Sequence, residues 1–245
     1  MDSVSKDHLF VYVTTFFMSY IYSLQYNSIL SSFIVGWSMY GMSTIGHDLL
    51  HLPTKYNKRI AFFCMDMILF NSDDWIQIHN KNHHCDLKGD NDIMRLKGDN
   101  LLTEWYHLLE ISKNSTILQH LYRIPLYYLL YQLKLYQILC IYFSVFFCLA
   151  YFTYITHSDS VISQYTRGSI QHNLDNTWDI FPDSWFCTLL FGGINVHATH
   201  HCYPTLSRGL LKDKSHYLSK KYPDNYRSIT TLKQFYRLLK DRHIN

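Results

Sequence analysis

The sequence predicts an all-α integral membrane protein in which two transmembrane helical hairpins, about four spans, carry a cytosolic helical cap. Three features predict it. Residues 9–46 contain no Asp, Glu, Lys or Arg, a second uncharged run covers residues 135–158, and histidines cluster beside the ends of these runs. A spanning helix needs about 20 apolar residues, so the first run is long enough for two crossings.

Taken in order, residues 9–46 form the first hairpin, with its turn expected at the polar triplet Gln25, Tyr26 and Asn27. A cleaved leader is the weaker reading, because Asp2 and Asp7 interrupt any basic start and the apolar run is too long. Residues 47–115 carry two histidine clusters. The short run 61–70, which contains Asp66, suits an interfacial helix. Residues 116–156 form the second hairpin. Its first arm holds Arg123, expected to snorkel at the membrane face, and Pro125, expected to begin a helical turn, while Lys134 marks the tip. Residues 157–245 hold a third cluster and a polar tail, and 1–245 reads as a single domain. Most Lys and Arg flank the hairpins on one side, so the clusters and both termini are expected in the cytosol, at the endoplasmic reticulum in a eukaryotic cell.

Composition narrows the function classes. With 48% hydrophobic and 17% charged residues the chain cannot be disordered, and a formal charge of +3 is too small to argue for nucleic acid. The aromatic share of 17% suits membrane interfaces. Six cysteines without a CxxC pair fit neither a disulfide scaffold nor a zinc ribbon. A soluble protein with buried apolar helices is the competing fold, and the mean hydropathy of −0.12 speaks for it.

The chain has fifteen histidines, and more than half lie in three short stretches: HDLLH (His47, His51), HNKNHH (His79, His83, His84) and HATHH (His197, His200, His201). On an α-helix residues i and i+4 share a face, so His47 with His51, His79 with His83, and His197 with His201 would each present two imidazoles to one point. Neutral imidazole binds iron, zinc, copper and nickel. Eight such nitrogens exceed what one ion takes, which makes a dinuclear iron site with a position left for dioxygen or water the economical reading. One HxxxH alone is weak, since surface histidines give it by chance; three clusters at membrane exits are specific.

These residues resemble the membrane fatty acid desaturase family. GHDLLHLPTKYNKRI resembles its first histidine box, WIQIHNKNHHCDLKGDNDI its second, and GGINVHATHHCYPTLSR its third, so the likeness runs from about residue 46 into the tail. The resemblance implies two iron ions, dioxygen as co-substrate, and a lipid or acyl-CoA substrate in whose acyl chain a C=C bond is made. With no HPGG-type haem motif in the sequence, electrons are expected from an external carrier of cytochrome b5 or ferredoxin type. Desaturases acting near the carboxyl end often begin the third box with Gln; here it is His197. The family also uses a further histidine before the third box, for which His172 is preferred over His157 because Gln171 and Asn173 flank it.

Asp48, Asp90 and Asp92 are possible acceptors for ligand N–H groups, with solvated loop carboxylates the simpler reading of the last two. Trp75 and Trp185 read as aromatic-belt residues before acyl-channel walls, and Cys85 and Cys202 as small apolar fillers. His8, His107, His120, His216 and His243 have no partner at metal spacing and read as surface or interfacial. The alternatives in function are a hydroxylase or ketolase on the same scaffold, a His-rich membrane metal transporter, and an inactive relative. The transporter would place its ligands inside the spans rather than at their ends.

Overall fold

A computed structural model describes residues 1–52, 54–66, 68–70, 72–87, 92, 121, 123–157 and 163–244. The chain is mostly helical, as expected for an all-α protein, with one minimal strand pair among the described residues. Helix α1 (Ser3–Tyr26) is capped by Asp2, whose carboxylate accepts from Ser5 N at 2.8 Å. It ends at Asn27 in the left-handed region (φ 52°), inside the predicted turn triplet. Helix α2 (Ile29–Leu50), started by Ser28, is central and packs against α1, α3 (Lys55–Asp66) and α6 (Leu135–Thr156). Between them come the single turn α4 (Ser72–Trp75), a π-helical segment (Ile76–His83) and α5 (Ile124–Tyr131). The cap follows as α7 (Ile170–Asn176), β1 (Asp179–Ile180), α8 (Trp185–Leu190), α9 (His197–Cys202), α10 (Arg208–Lys221), β2 (Ser228–Ile229) and α11 (Leu232–Ile244). Strands β1 and β2 pair in parallel, Asp179 with Ser228 and Ile180 with Ile229.

The hairpin helices bury several polar side chains beside an apolar core that includes Val35, Met39, Ile141 and Val145, and their outer faces are apolar. Ser23 and Ser32 share a hydroxyl contact of 2.8 Å, and the buried Gln137 amide donates to Ser23 O at 2.8 Å. Phe10, Phe17, Met18, Ile21, Leu30, Leu135, Leu139 and Phe143 point outward and are exposed. The tips of the two hairpins lie together, since Tyr136 Oη donates to Asn27 O at 3.0 Å and Tyr20 Oη to Leu129 O at 2.7 Å. The histidine clusters sit at the opposite ends of α2 and α6. Close approach of α2 and α6 depends on Gly36, where a Cβ would run into the Ile141 carbonyl and Ser144 Cβ of α6.

Among the described residues one helix, Leu135–Thr156, is long and apolar enough to cross a membrane. Its 22 residues reach about 33 Å. Helices α1 and α2 match it in length, but their many Ser, Thr and Tyr residues lower their hydropathy. The expected fourth arm is short. Pro125 starts α5 as predicted, but α5 has eight residues, and most of positions 116–122 fall outside the described residues, as does the 115/116 boundary. Arg123 does not snorkel: it is buried, donates from Nε and Nη2 to Asp66 Oδ1 at 3.2 and 3.1 Å, and ties α5 to α3. The charge of Asp66, the reason for reading 61–70 as interfacial, is the partner that a buried guanidinium needs.

Gly36→Val is expected to wedge α2 from α6 and lower stability by about 1–3 kcal/mol. A depressed melting temperature in detergent, with helical content retained at low temperature, checks it.

Candidate metal centre

His47 lies in the last turn of α2 and His51 is its C-cap residue. Box two differs from the α-helical expectation. The segment Ile76–His83 is a π-helix, and His84 N donates to His79 O, five residues back, at 3.0 Å. Residues i and i+5 therefore share a face, which pairs His79 with His84 and turns His83 elsewhere. On α9 the α-helical expectation holds for His197 and His201, and His200 points away from both.

The result is two adjoining groups of donor atoms. His47, His51, His79, His84 and His200 form one, His83, His157, His197 and His201 the other, and in each group the ligand atoms lie within 4.8 Å of one another. In the first, His47 Nε2 is 2.7 Å from His79 Nε2 and 3.3 Å from His51 Nε2, and His84 Nε2 is 3.0 Å from His79 Nε2. In the second, His157 Nε2 is 3.4 Å from His83 Nε2 and 3.2 Å from His197 Nε2, and His201 Nε2 is 3.1 Å from His197 Nε2. The groups touch through the His84 and His201 rings, 4.5 Å apart.

All eight predicted box histidines are thus brought together. His172 is not among them. Its Nε2 faces Leu87 O at 3.0 Å on α7, a short helix that buttresses α9 instead of facing the cluster. The ninth member is His157, so the sequence preference is reversed. The missed signal was position: like His47, His157 stands where a long apolar helix ends, with its backbone fixed by α6.

Protonation decides whether the donor set fits metal ions. Burial, and then neighbouring imidazoles, push His79, His84, His197 and His201 well below the usual histidine range; His51 is also lowered, and burial with His47 brings His200 down to about 3. Neutral rings are the ligating form. The tautomers follow from the partners of Nδ1. His157 Nδ1 must donate to Thr153 O (2.8 Å), and His83 Nδ1 donates to the buried Asp92 carboxylate (2.9 Å). In the neutral, ligating form both Nε2 atoms carry lone pairs, and these face each other across 3.4 Å. Two acceptors at that distance repel unless a cation lies between them. An ion ligated at about 2.1 Å holds adjacent nitrogens at right angles about 3.0 Å apart, the range seen in both groups. The residues fit a pair of nitrogen-ligated transition-metal ions.

The surroundings fix these rings. Asp48 Oδ1 accepts from His47 Nδ1 at 3.0 Å, as expected. Asp92 is no solvated loop residue but is buried on His83, while Asp90 lies outside the described residues. Asp179 of β1 accepts from Thr199 N at 3.1 Å, from Thr199 Oγ1 and from Tyr226 Oη at 2.8 Å, pinning α9 to the tail. Burial pushes its carboxyl up to about 6 against the pull of these donors. Neither Asp179 nor Tyr226 carries a motif signal, because their roles arise only from the β1–β2 pairing.

A cleft of about 700 Å³, part of it open to solvent, touches both groups through His47, His79, His83, His157, His197 and His200. Its other walls are mainly apolar, including Met65, Ile68, Phe70, Leu149, Ile194 and Leu211. Trp75 is a wall of this cleft, buried and stacked on His79 at 4.9 Å, whereas Trp185 is exposed, as a belt residue would be. His8 is fully buried against Tyr12 and Trp185, not superficial, while His216 is half exposed beside Asp183. His107 and His120 lie outside the described residues, as does the side chain of His243. Cys85 is exposed, so it fills nothing, and neither Cys85 nor Cys202 joins a donor group.

Residues 114–233 match the family model described as fatty acid desaturase. That stretch is similar to the fatty acid desaturase family. The matched stretch includes His157 and the third cluster, and the structure adds the first two clusters from outside it. A search of the curated proteins found no match.

His157→Ala is expected to weaken or abolish metal binding at the second histidine group, whereas His172→Ala leaves binding at both groups unchanged. Iron per chain in the purified variants measures the difference.

Proposed function

We propose that the protein is a dioxygen-dependent di-iron desaturase that introduces a C=C bond into the acyl chain of a membrane lipid or acyl-CoA, with all of residues 1–245 acting as one catalytic unit. The observation that carries this reading is the pair of adjoining histidine groups opening on one apolar cleft, in a chain with a stretch similar to the fatty acid desaturase family. His47, His51, His79, His84 and His200 would hold one iron, and His83, His157, His197 and His201 the other. Iron in such a site supplies the capacity to activate dioxygen and remove hydrogen from an unactivated methylene pair. The overall change is balanced: two hydrogens leave the chain, dioxygen becomes two waters, and two electrons and two protons come from outside, the electrons through a separate carrier.

The protein's own residues supply placement and dryness. A saturated chain has no polar handle, so only shape and apolar contact can set which methylene pair lies beside the metals. Met65, Ile68, Phe70, Leu149 and Leu211 offer that contact, and Trp75 closes one side while its ring fixes the plane of His79. Asp48, Asp92 and the Thr153 carbonyl each hold an Nδ1, of His47, His83 and His157 in turn, and so fix these rings at the cleft wall.

An integral, multi-pass membrane location supports the same substrate class. The exposed Phe, Leu and Ile side chains of the helices, with Ser23, Ser32 and Gln137 turned inside, make an outer surface that is stable when it meets lipid. We place the first hairpin at 9–46 and the second at 116–156, with the metal groups and both termini on the cytosolic side, at the endoplasmic reticulum if the cell is eukaryotic.

Expression in yeast followed by lipid profiling tests the reaction. A new acyl species lighter by two hydrogens is expected, and a species heavier by one oxygen would assign a hydroxylase instead. His83→Ala and His200→Ala, each removing a ligand from a different group, are each expected to abolish the product; full product formation by either overturns the ligand assignment.

A further inference from the structure

Arg208 opens α10 and is buried, although no element of the cleft chemistry above uses it. Its guanidinium donates from Nε (3.0 Å) and Nη2 (2.7 Å) to a single oxygen, Asp48 Oδ2, and from Nη2 to Thr44 Oγ1 (3.4 Å). The other oxygen, Oδ1, accepts from His47 Nδ1 at 3.0 Å. The carboxylate is therefore divided, one oxygen to each partner. Backbone is cleared for this reach: Gly193, in the left-handed region at φ +84°, would place a Cβ 2.6 Å from Arg208 Nε. The first turn of α10 is also fixed from the opposite side, where Asp2 Oδ2 accepts from Gly209 N at 2.7 Å. A carboxylate beside a metal-binding imidazole has two competing destinations, water and the cation itself, and either would release His47 to rotate or change tautomer.

We propose that Arg208 is a positioning residue for His47: by holding one oxygen of Asp48 it fixes the other on His47 Nδ1, and so aims the His47 Nε2 lone pair into the five-histidine group. The proposal rests on the metal-binding reading above and extends it to a residue 160 positions away in sequence from the carboxylate it holds. It concerns one group only. His83, which reaches the other group, is held by Asp92.

The test is an anaerobic titration of the detergent-purified full chain with ferrous iron, against a competing chelator so that the two ions are resolved. Wild type is expected to take two ions. Arg208→Gln should weaken one of them by about 10- to 100-fold and leave the other unchanged. Arg208→Lys, which keeps the charge but not the two-pronged geometry, should recover part of the loss. In an Asp48→Asn background, Arg208→Gln should add nothing, because the path it acts through is already cut. Unchanged affinities in Arg208→Gln, equal weakening of both ions, or additive losses in the double variant each overturn the role of Arg208 while leaving the di-iron reading intact. If Arg208→Gln does not fold, Arg208→Lys with and without Asp48→Asn gives the same comparison. Wild-type protein that takes up no iron overturns the proposed reaction and this role with it.

Discussion

His83 and His157 each commit the Nδ1 proton to a fixed acceptor, Asp92 in one case and the Thr153 carbonyl in the other, so in the neutral, ligating form their Nε2 lone pairs confront each other at 3.4 Å. Beside this pair, burial disfavours protonation of His197 and His201, because charging a desolvated imidazole among other imidazoles is costly. The result is a concave set of imidazole donors whose natural complement is a pair of cations. The rest of the architecture can be understood as what is needed to keep such mutually repelling groups in place.

No single element could do this. The donors come from the end of α2, a π-helical segment, the end of α6 and the short α9, and α9 has too few residues to hold itself in register. Asp179, gripping Thr199 through backbone and hydroxyl, supplies that register, and β1–β2 pairing with the Tyr226 hydroxyl supplies Asp179. Asn173 of α7 adds a bond to His201 O at 3.0 Å. The polar tail is thus a clamp on the third cluster.

The helical hairpins serve as a rigid floor. Their inward serines, tyrosines and glutamine bond to one another and to the carbonyls of the cap: Tyr12, Trp37 and Tyr40 donate to Leu189, Leu190 and Phe191. These bonds run beside an apolar core that holds the helices together, and Gly36 with Ser144 lets the backbones close.

The sequence alone determined that the chain is helical, where its first turn lies, and that eight histidines converge, because each of these follows from local pattern: long uncharged runs, a polar triplet, and imidazoles grouped within five or six residues. It did not determine how the histidines divide. The i, i+4 rule assumes an α-helix, and the π-helical turn at Ile76–His83 sends His79 and His84 one way and His83 the other. Nor could it choose between His157 and His172, place Asp92 on His83, or pair Arg123 with Asp66 and Arg208 with Asp48. The two arginine pairs lie far apart along the chain, and all these contacts depend on how the helices and the cap pack, a property of the assembled backbone that no short stretch of residues contains.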